Sequence, residues 1–289
     1  MAYSTLISVP ELFKHYADPD WAIIDCRFTL TEPEQGQEAY LKAHIPGAVY
    51  THLDRDLCDP ILPGKTGRHP LPPIDTFVEK LSAWGIDSEV QVIAYDDVGG
   101  ALAAARLWWM LRWLDHDSVA ILDGGWKRWK ESGFPVRSGT ETRTARRFTA
   151  HPRHDLVVGW EEVEEMRKRS DSLVLDSRTV DRYRGENETI DPIAGHIPGA
   201  KSAPYTEVLD EKEKFLSAEK LRARFQELLA GIPVERTAFY CGSGVTAALN
   251  VLAVAHARLG DARLYAGSWS EWITDQNRPV AKGNSSLDK

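Results

Sequence analysis

The chain has 289 residues, of which 43% are apolar and 27% are charged, and at ~150 residues per domain this length predicts two domains. Its 35 basic and 43 acidic side chains give a formal net charge of −8, which argues against a nucleic-acid partner, because phosphates are neutralised by clustered lysine and arginine. No apolar run approaches the ~20 residues that cross a bilayer. The first residues also lack a basic segment followed by a long apolar one, so we expect a cytoplasmic protein without membrane contact.

The predicted strands and helices alternate along the chain. Short apolar runs that end in a polar residue are typical of buried strands, and longer apolar segments rich in alanine and leucine are typical of helices. The predicted strands are AIID (22–25), VIAY (92–95), VAIL (119–122), LVLD (173–176) and TAFY (237–240), and the two clearest helices are 101–114 and 246–260. This alternation predicts an α/β fold with a parallel sheet and helices on both of its faces.

Five segments occur twice in the same order, with an offset that stays between 143 and 152 residues. The pairs are AIIDCR (22–27) with LVLDSR (173–178), HIPGA (44–48) with HIPGA (196–200), 92–105 with 237–250, LDGGWKRW (122–129) with YAGSWSEW (265–272), and FPV (134–136) with RPV (278–280). The sequence therefore predicts two copies of one α/β domain, at 1–138 and 155–289. A polar segment without an apolar period, 139–154, is predicted to be the linker.

The chain contains only three cysteines, which are Cys26, Cys58 and Cys241. An odd and sparse set without a C-x-x-C pair argues against a disulfide framework and against a zinc site. The ordinary role of such a cysteine is that of a small buried apolar side chain. A catalytic role for any of them has to be argued from its surroundings.

Cys241 follows the predicted strand that ends at Tyr240, and in parallel sheets the chemistry sits at the carboxyl ends of the strands. Gly242 and Gly244 allow several backbone N–H groups to converge on one point, and a helix that begins near Thr246 adds its positive end. Such surroundings lower the pKa of a thiol, and the thiolate is the nucleophilic form. We therefore predict that Cys241 is the nucleophile and that Gly242, Gly244, Val245 and Thr246 hold the anionic group that it binds.

The repeat provides an internal comparison for this loop. Asp96 occupies the position of Cys241 in the first copy, and a carboxylate cannot act as a sulfur nucleophile. The first domain is therefore predicted to lack a nucleophile. Cys26 aligns with Ser177 and Cys58 has no equivalent setting, so we expect structural roles for both.

The tandem repeat, the two HIPGA motifs, the single loop cysteine and the closing GSWSEW resemble the two-domain rhodanese family of sulfurtransferases. The loop CGSGVTA (241–247) is similar to that of the 3-mercaptopyruvate sulfurtransferase branch, whereas the thiosulfate branch typically has a more basic loop. The resemblance implies that Cys241 takes the outer sulfur of 3-mercaptopyruvate as a persulfide and releases pyruvate. The sulfur then passes to cyanide, a small thiol or thioredoxin, and no metal or organic cofactor is required.

The resemblance also implies roles for individual side chains. Arg182, in RYRG, matches the family's first substrate arginine; Arg184 is a weaker candidate, and Arg178 is either a site residue or a structural one at the strand end. The family's second arginine has no counterpart in the segment 185–195. Ser243 either donates or relays a proton to the leaving enolate, or only closes the loop.

Two further questions stay open at this point. The resemblance implies a relay between Ser243 and His44, with Glu34 or Glu38 as the acid; the alternative is that His44 belongs to a structural turn that both HIPGA motifs share. The alternatives to a 3-mercaptopyruvate enzyme are a thiosulfate sulfurtransferase and a non-catalytic sulfur carrier or regulatory module. A cysteine phosphatase is excluded because its C-x₅-R loop would need arginine at Ala247, and the serine-hydrolase pattern G-x-S-x-G is absent around Ser243.

Overall fold

The computed structural model describes residues 2–284, which fold as two compact units. The first unit comprises the chain up to residue 59 together with 72–153 and 210–215. The second unit comprises 60–71, 154–209 and the chain from 216 onward. Among the described residues, no helix combines the length and the apolar character that crossing a bilayer requires.

The first unit contains one parallel sheet of five strands in the order β1-β5-β4-β2-β3. The strands are β1 (Leu6–Ile7), β2 (Trp21–Asp25), β3 (Val49–Tyr50), β4 (Gln91–Tyr95) and β5 (Val119–Leu122). The helices are α1 (Val9–His15), α2 (Gln35–Lys42), α3 (Leu53–Asp56), α4 (Ile74–Ala83), α5 (Ala103–Trp113) and α6 (Gly125–Glu131).

Helices cover both faces of this sheet, and every residue of β4 is buried as a result. Ile93 and Tyr95 belong to an apolar cluster that includes residues of α1 and α6. Val92 and Ala94 alternate with them and are equally buried, and α5 contacts β4 and β5. A strand that is buried on both sides reads as a continuous apolar run, which explains why VIAY was recognisable in the sequence.

The second unit repeats this architecture, with a parallel sheet in the order β6-β10-β9-β7-β8. The strands are β6 (Val157–Val158), β7 (Leu173–Asp176), β8 (Lys201–Ser202), β9 (Thr237–Tyr240) and β10 (Arg263–Tyr265). The helices are α7 (Trp160–Met166), α8 (Val180–Arg184), α9 (Ala218–Leu229), α10 (Ala247–His256) and α11 (Ser268–Trp272), and single 3₁₀ turns lie at His154–Leu156, Tyr205–Val208 and Val234–Arg236.

The α/β fold and the five predicted strands are confirmed, but the units differ from the predicted halves in three segments. Residues 60–71 belong to the second unit and 210–215 to the first. The segment predicted as a linker belongs to the first unit up to residue 153, where Phe148 is buried and its N–H donates to Ser82 Oγ over 3.1 Å. Single anchoring contacts of this kind leave no periodicity that a sequence pattern could show.

A buried ion pair explains the repeated motifs AIIDCR and LVLDSR. Arg178 Nε and Nη2 donate to the Asp176 carboxylate over 3.1 and 2.6 Å, and Nη2 also donates to Gly195 O over 2.6 Å. Arg27 makes the same bonds to Asp25 and to Ala43 O in the first unit. In each unit the pair therefore ties the end of a central strand to the residue that precedes HIPGA.

The two HIPGA histidines also have the same surroundings. Nδ1 of His44 donates to Tyr40 O and Nδ1 of His196 to Tyr183 O, both over 2.7 Å. Each ring stacks on that tyrosine, with ring centroids 4.1 and 3.9 Å apart. The identical environment in both units supports the structural turn for these histidines.

We expect Arg178→Ala to lower the free energy of unfolding by about 3–5 kcal/mol, because the substitution leaves the Asp176 carboxylate buried without its cation. Urea unfolding at pH 7 measures the change. The matched control is Arg184→Ala, six residues later in the chain. Its guanidinium pairs with Asn284 at the surface, and its loss should change stability by no more than about 0.5 kcal/mol. Equal effects of the two substitutions would contradict a structural role for Arg178.

Candidate active site

The loop 241–246 leaves the central strand β9 and is held in place by α11. Trp269 N–H donates to Cys241 O over 3.0 Å, and Ser270 N–H donates to Gly242 O over 2.9 Å. Cys241 N–H in turn donates to Ser268 Oγ over 3.1 Å. The closing motif GSWSEW therefore positions the backbone of the loop.

The loop folds around the sulfur of Cys241. Gly244 N–H points at Sγ over 3.2 Å and has a φ of +76°, and a Cβ at this position would overlap Ala266 O. Only glycine combines that backbone conformation with the close approach. Val245 is buried, and its carbonyl accepts a hydrogen bond from Ala248 N–H at the start of α10.

The surroundings of Cys241 favour its thiolate. Burial by itself raises the pKa of the thiol, but hydrogen bonds from the Thr246 hydroxyl and from the N–H groups of Ser243, Ala247 and Gly244 outweigh burial, and the net pKa lies below the ordinary value. By contrast, burial raises the pKa of Cys58 to about 12 and that of Cys26 well above its ordinary range. Of the three thiols, only Cys241 has hydrogen-bond donors that outweigh burial and lower its pKa.

The histidine beside Ser243 is His69, not His44. Ser243 Oγ and His69 Nδ1 are 2.7 Å apart, and both residues are buried. His69 belongs to the segment 60–71 of the second unit, whereas the ring of His44 bonds to Tyr40 in the first. The proposed pairing of Ser243 with His44, and with it the acids Glu34 and Glu38, is therefore wrong. No local sequence pattern identifies His69, because its segment lies in the other half of the repeat.

Arg182, the predicted carboxylate-binding residue, lies on α8 beside the loop. Its guanidinium donates from Nε and Nη2 to Glu188 over 2.9–3.2 Å and from Nη2 to Asp191 Oδ2 over 3.0 Å. Both carboxylates are almost completely buried. Two acids thus fix the guanidinium while its side chain stays 17% exposed, which leaves it accessible to a ligand.

A second arginine, Arg68, reaches the same place from the segment 60–71. Its Nη1 forms an ion pair with Asp191 Oδ1, and its backbone N–H donates to Ser270 Oγ over 3.0 Å. A Cβ added to Gly242 would lie 2.8 Å from Arg68 Nη2 and 3.6 Å from both terminal nitrogens of Arg182. Gly242 therefore lies against two guanidinium groups, one of which sequence analysis did not identify.

The other two arginines considered do not face the loop in this way. All three donor nitrogens of Arg178 bond to carboxylates or to a carbonyl, and its guanidinium lies 4.8 Å from the Trp269 ring. Arg184 Nε donates to Asn284 Oδ1 over 2.8 Å. Arg178 is thus a structural residue, and Arg184 is available as a control.

The loop after β4 in the first unit surrounds Asp96 with a similar set of N–H donors. Its Oδ1 accepts from Val98 N–H and Gly100 N–H over 3.0 and 2.6 Å, and its Oδ2 accepts from Leu102 N–H over 3.1 Å. Val98 and Leu102 match Ser243 and Ala247, whose N–H groups serve Cys241. In the first unit the Asp96 carboxylate thus occupies the place among the N–H groups that the Cys241 sulfur occupies in the second unit.

We expect the Asp96 carboxylate to make stability depend on pH. Burial raises its pKa to about 6 from the ordinary 3.8, against the opposing effect of its three N–H donors. Because the folded-state pKa is the higher one, this contribution to stability is complete below pH 3.8 and is lost as the pH rises through about 6. The free energy of unfolding of the natural chain should therefore fall relative to Asp96→Asn by about 2 kcal/mol between pH 4.5 and 7.5.

Urea unfolding of both proteins across this pH range measures the difference, and the comparison cancels the titration of all other groups that the two proteins share. A difference that is constant with pH, or one that changes in the opposite direction, would contradict the raised pKa of Asp96.

Comparison with known proteins agrees with this architecture. A family model described as "Rhodanese-like domain" matches residues 8–132 and again residues 160–275. A Pseudomonas aeruginosa protein named "Probable 3-mercaptopyruvate sulfurtransferase" is 44% identical over 285 residues, which cover 98% of this chain and 100% of that protein. An Arabidopsis thaliana protein named "Thiosulfate/3-mercaptopyruvate sulfurtransferase 2" is 32% identical, with 97% of this chain and 87% of that protein covered.

Among solved structures, the 3-mercaptopyruvate sulfurtransferase from Leishmania major superposes with a TM-score of 0.83 at 33% identity, covering 96% of this chain and 75% of that chain. The family match spans both units, and the full-length similarity includes the segment that carries Cys241. The chain therefore belongs to the rhodanese family, as a sulfurtransferase with two rhodanese-like domains.

Proposed function

We propose that the chain transfers sulfur from 3-mercaptopyruvate to a thiophilic acceptor through a persulfide on Cys241. The observation that carries this proposal is the juxtaposition, at one loop, of a stabilised thiolate, a Ser243–His69 pair and the guanidinium of Arg182. These groups match a donor that has a sulfur, a carbonyl group that becomes an enolate, and a carboxylate.

In the first half-reaction, the Cys241 thiolate attacks the sulfur of 3-mercaptopyruvate. An S–S bond forms, the C–S bond of the donor breaks, and its electron pair leaves with the carbon as the enolate of pyruvate. The donor's thiol proton stays with the persulfide, and the enolate takes one further proton to become pyruvate. The N–H ring around Sγ stabilises the persulfide anion once the thiol proton is released to solvent.

Ser243 and His69 supply the proton for the leaving enolate. The Ser243 hydroxyl lies in the loop next to the nucleophile, and His69 Nδ1 at 2.7 Å can hydrogen-bond to it and replace the proton that it gives up. The serine therefore has a chemical role beyond closing the loop. His69 takes the place in the relay that the sequence had suggested for His44.

In the second half-reaction, an acceptor thiolate or cyanide attacks the outer sulfur of the persulfide. The S–S bond breaks and its electron pair returns to Cys241, so the resting thiolate is regenerated. A small thiol, cyanide and thioredoxin all provide such a nucleophile. No step of either half-reaction requires a metal or an organic cofactor.

Thiosulfate is a second candidate donor because Gly242 lies against two guanidinium groups. Thiosulfate carries its charge directly beside the transferred sulfur, so cations close to the loop favour it. The loop residues themselves are uncharged, but Arg68 and Arg182 place positive charge near Gly242.

A comparison of kcat/KM for 3-mercaptopyruvate and thiosulfate, with cyanide as the acceptor, decides between the two donors. We expect the higher value for 3-mercaptopyruvate, and a higher value for thiosulfate would reverse the assignment.

We expect Cys241→Ser to abolish sulfur transfer from either donor. The hydroxyl of serine does not ionise in this loop and cannot carry a sulfane sulfur. Mass spectrometry of the donor-treated natural chain should show a gain of one sulfur on the Cys241 peptide. Cys26→Ser and Cys58→Ser are the controls and should keep near-normal turnover. Loss of persulfide formation in a folded Cys26→Ser protein would overturn the assignment of the nucleophile.

We expect Ser243→Ala to lower kcat with 3-mercaptopyruvate by about 10²-fold, because the enolate loses its nearest proton donor. Thiosulfate releases sulfite, which needs no such protonation, so kcat with thiosulfate should change by less than about threefold. The same protein thus provides its own control for the integrity of the loop. Equal losses with both donors would show that Ser243 serves only to shape the loop.

A further inference from the structure

Ser268, the first residue of α11, has a backbone conformation that serine rarely adopts. Its φ is +57°, in the left-handed region, where the Cβ of an ordinary residue is crowded by the following carbonyl oxygen. The residue is completely buried and lies where the chain turns from β10 into α11. A strained position of this kind persists only when its surroundings fix it, and such positions are frequent at functional sites.

The first unit has glycine at the corresponding position. Gly125 aligns with Ser268 in the repeated motif, and its φ of +55° is nearly the same. The next N–H along the chain donates to Asp96 O over 2.9 Å, and its counterpart in the second unit donates to Cys241 O over 3.0 Å. Glycine is therefore sufficient for the turn and for its contact with the loop, and the turn by itself does not require serine.

The two units differ in the space beside this turn. A Cβ added to Gly125 would lie 2.3 Å from Asp96 O, so the first unit has no room for a side chain there. In the second unit the Ser268 side chain fits beside Cys241 and is fully buried. A side chain is thus present at this point in the unit that contains the nucleophile, and absent in the unit that does not.

The hydroxyl of Ser268 forms two hydrogen bonds with different roles. It donates to Tyr265 O over 2.8 Å, and it accepts from Cys241 N–H over 3.1 Å. A serine hydroxyl has one proton, so the bond to Tyr265 turns the lone pairs of the oxygen towards Cys241. Tyr265 is the last residue of β10, an inner strand of the sheet, so the oxygen that holds Cys241 N–H is itself fixed to the sheet.

The bond to Cys241 N–H also restricts the position of the sulfur. The backbone nitrogen and the Cβ are attached to the same Cα, so fixing the direction of the N–H limits the direction in which the side chain leaves the backbone. The sulfur accepts from Gly244 N–H over 3.2 Å and from the other donors described above. Interactions of this kind weaken with distance and with misalignment, so the sulfur has to stay close to all of its donors.

We propose that Ser268 is a positioning residue for the nucleophile, whose hydroxyl fixes the backbone of Cys241 and so keeps the sulfur among its N–H donors. Glycine adopts the left-handed conformation more easily but has no hydroxyl to bind Cys241 N–H. The inference rests on Cys241 being the nucleophile of the function proposed above. It adds no step to the reaction, because the buried hydroxyl acts through Cys241.

The test follows the ionisation of Cys241 without a sulfur donor. Iodoacetamide, a neutral reagent, alkylates the thiolate, and the alkylation rate of the Cys241 peptide as a function of pH gives the apparent pKa of the thiol. We expect Ser268→Ala, which keeps the Cβ and removes the hydroxyl, to raise this apparent pKa by about one unit, because hydrogen bonds to the charged sulfur weaken. Below both pKa values alkylation should then be about tenfold slower. Ser268→Gly, which gives the second unit the residue of the first, should have the same effect.

Ala230→Gly is the matched control. Ala230 is the exposed residue that ends α9 in the same unit, and its φ of +50° is also left-handed. Glycine relieves the same kind of backbone strain there without removing a hydroxyl, so the pH profile of Cys241 alkylation should not change. A shift in this variant equal to that in Ser268→Gly would assign the effect to backbone strain and overturn the role of the hydroxyl.

The remaining outcomes are equally decisive. A Ser268→Ala protein that is folded by circular dichroism and has the pH profile of the natural chain, or a lower apparent pKa, would contradict the proposal. If Ser268→Ala does not fold, Ser268→Gly decides, because the first unit forms the same turn with glycine. The proposed function fails by a different observation, namely that 3-mercaptopyruvate adds no sulfur to Cys241 while the alkylation profile still depends on Ser268.

Discussion

The active-site loop of the second unit is shaped by the hydrogen bonds that favour the thiolate of one buried sulfur. Burial opposes ionisation of Cys241, and only donors that surround the sulfur can reverse that effect. Backbone N–H groups point inward only if the chain turns tightly, which is why Gly244 has a left-handed conformation. The turn must also start from a fixed strand. β9 lies inside the sheet between β10 and β7, and α11 binds the loop backbone from the other side.

The first unit shows which part of this arrangement is scaffold and which part is chemistry. It has the same sheet order, the same buried arginine–aspartate pair, the same histidine turn and the same ring of N–H donors. The ring holds the carboxylate of Asp96 instead of a thiolate, so it is already occupied by an anion of its own chain. A ring of N–H groups alone is therefore not a catalytic site, because the reaction requires a cysteine sulfur inside that ring.

The sequence was sufficient for features that are local or that repeat. The strands were readable because they are buried on both faces, and Cys241 was identifiable because its glycines and its twin Asp96 lie within a few residues of it. His69 and Arg68 were missed because their contacts with Ser243 and Asp191 join positions more than 100 residues apart. No local pattern records such a contact, and the repeat misled, since it places 60–71 in the other half.

The positive charge that an anionic sulfur donor needs comes from a few side chains near Cys241 and not from the chain as a whole. With a net charge of −8 it provides no general attraction for an anionic donor, and the thiolate of Cys241 would repel one. Two arginines near the sulfur could overcome that repulsion, but two free guanidinium groups would also repel each other. Asp191 and Glu188 offset this repulsion through the hydrogen bonds and ion pairs that they form with the guanidinium groups. The two carboxylates balance the two guanidinium charges, so the thiolate leaves the site negative in sum, and a donor must supply hydrogen-bond acceptors in the right places. Geometry, more than total charge, therefore distinguishes a carboxylate at some distance from the sulfur from an anion directly beside it.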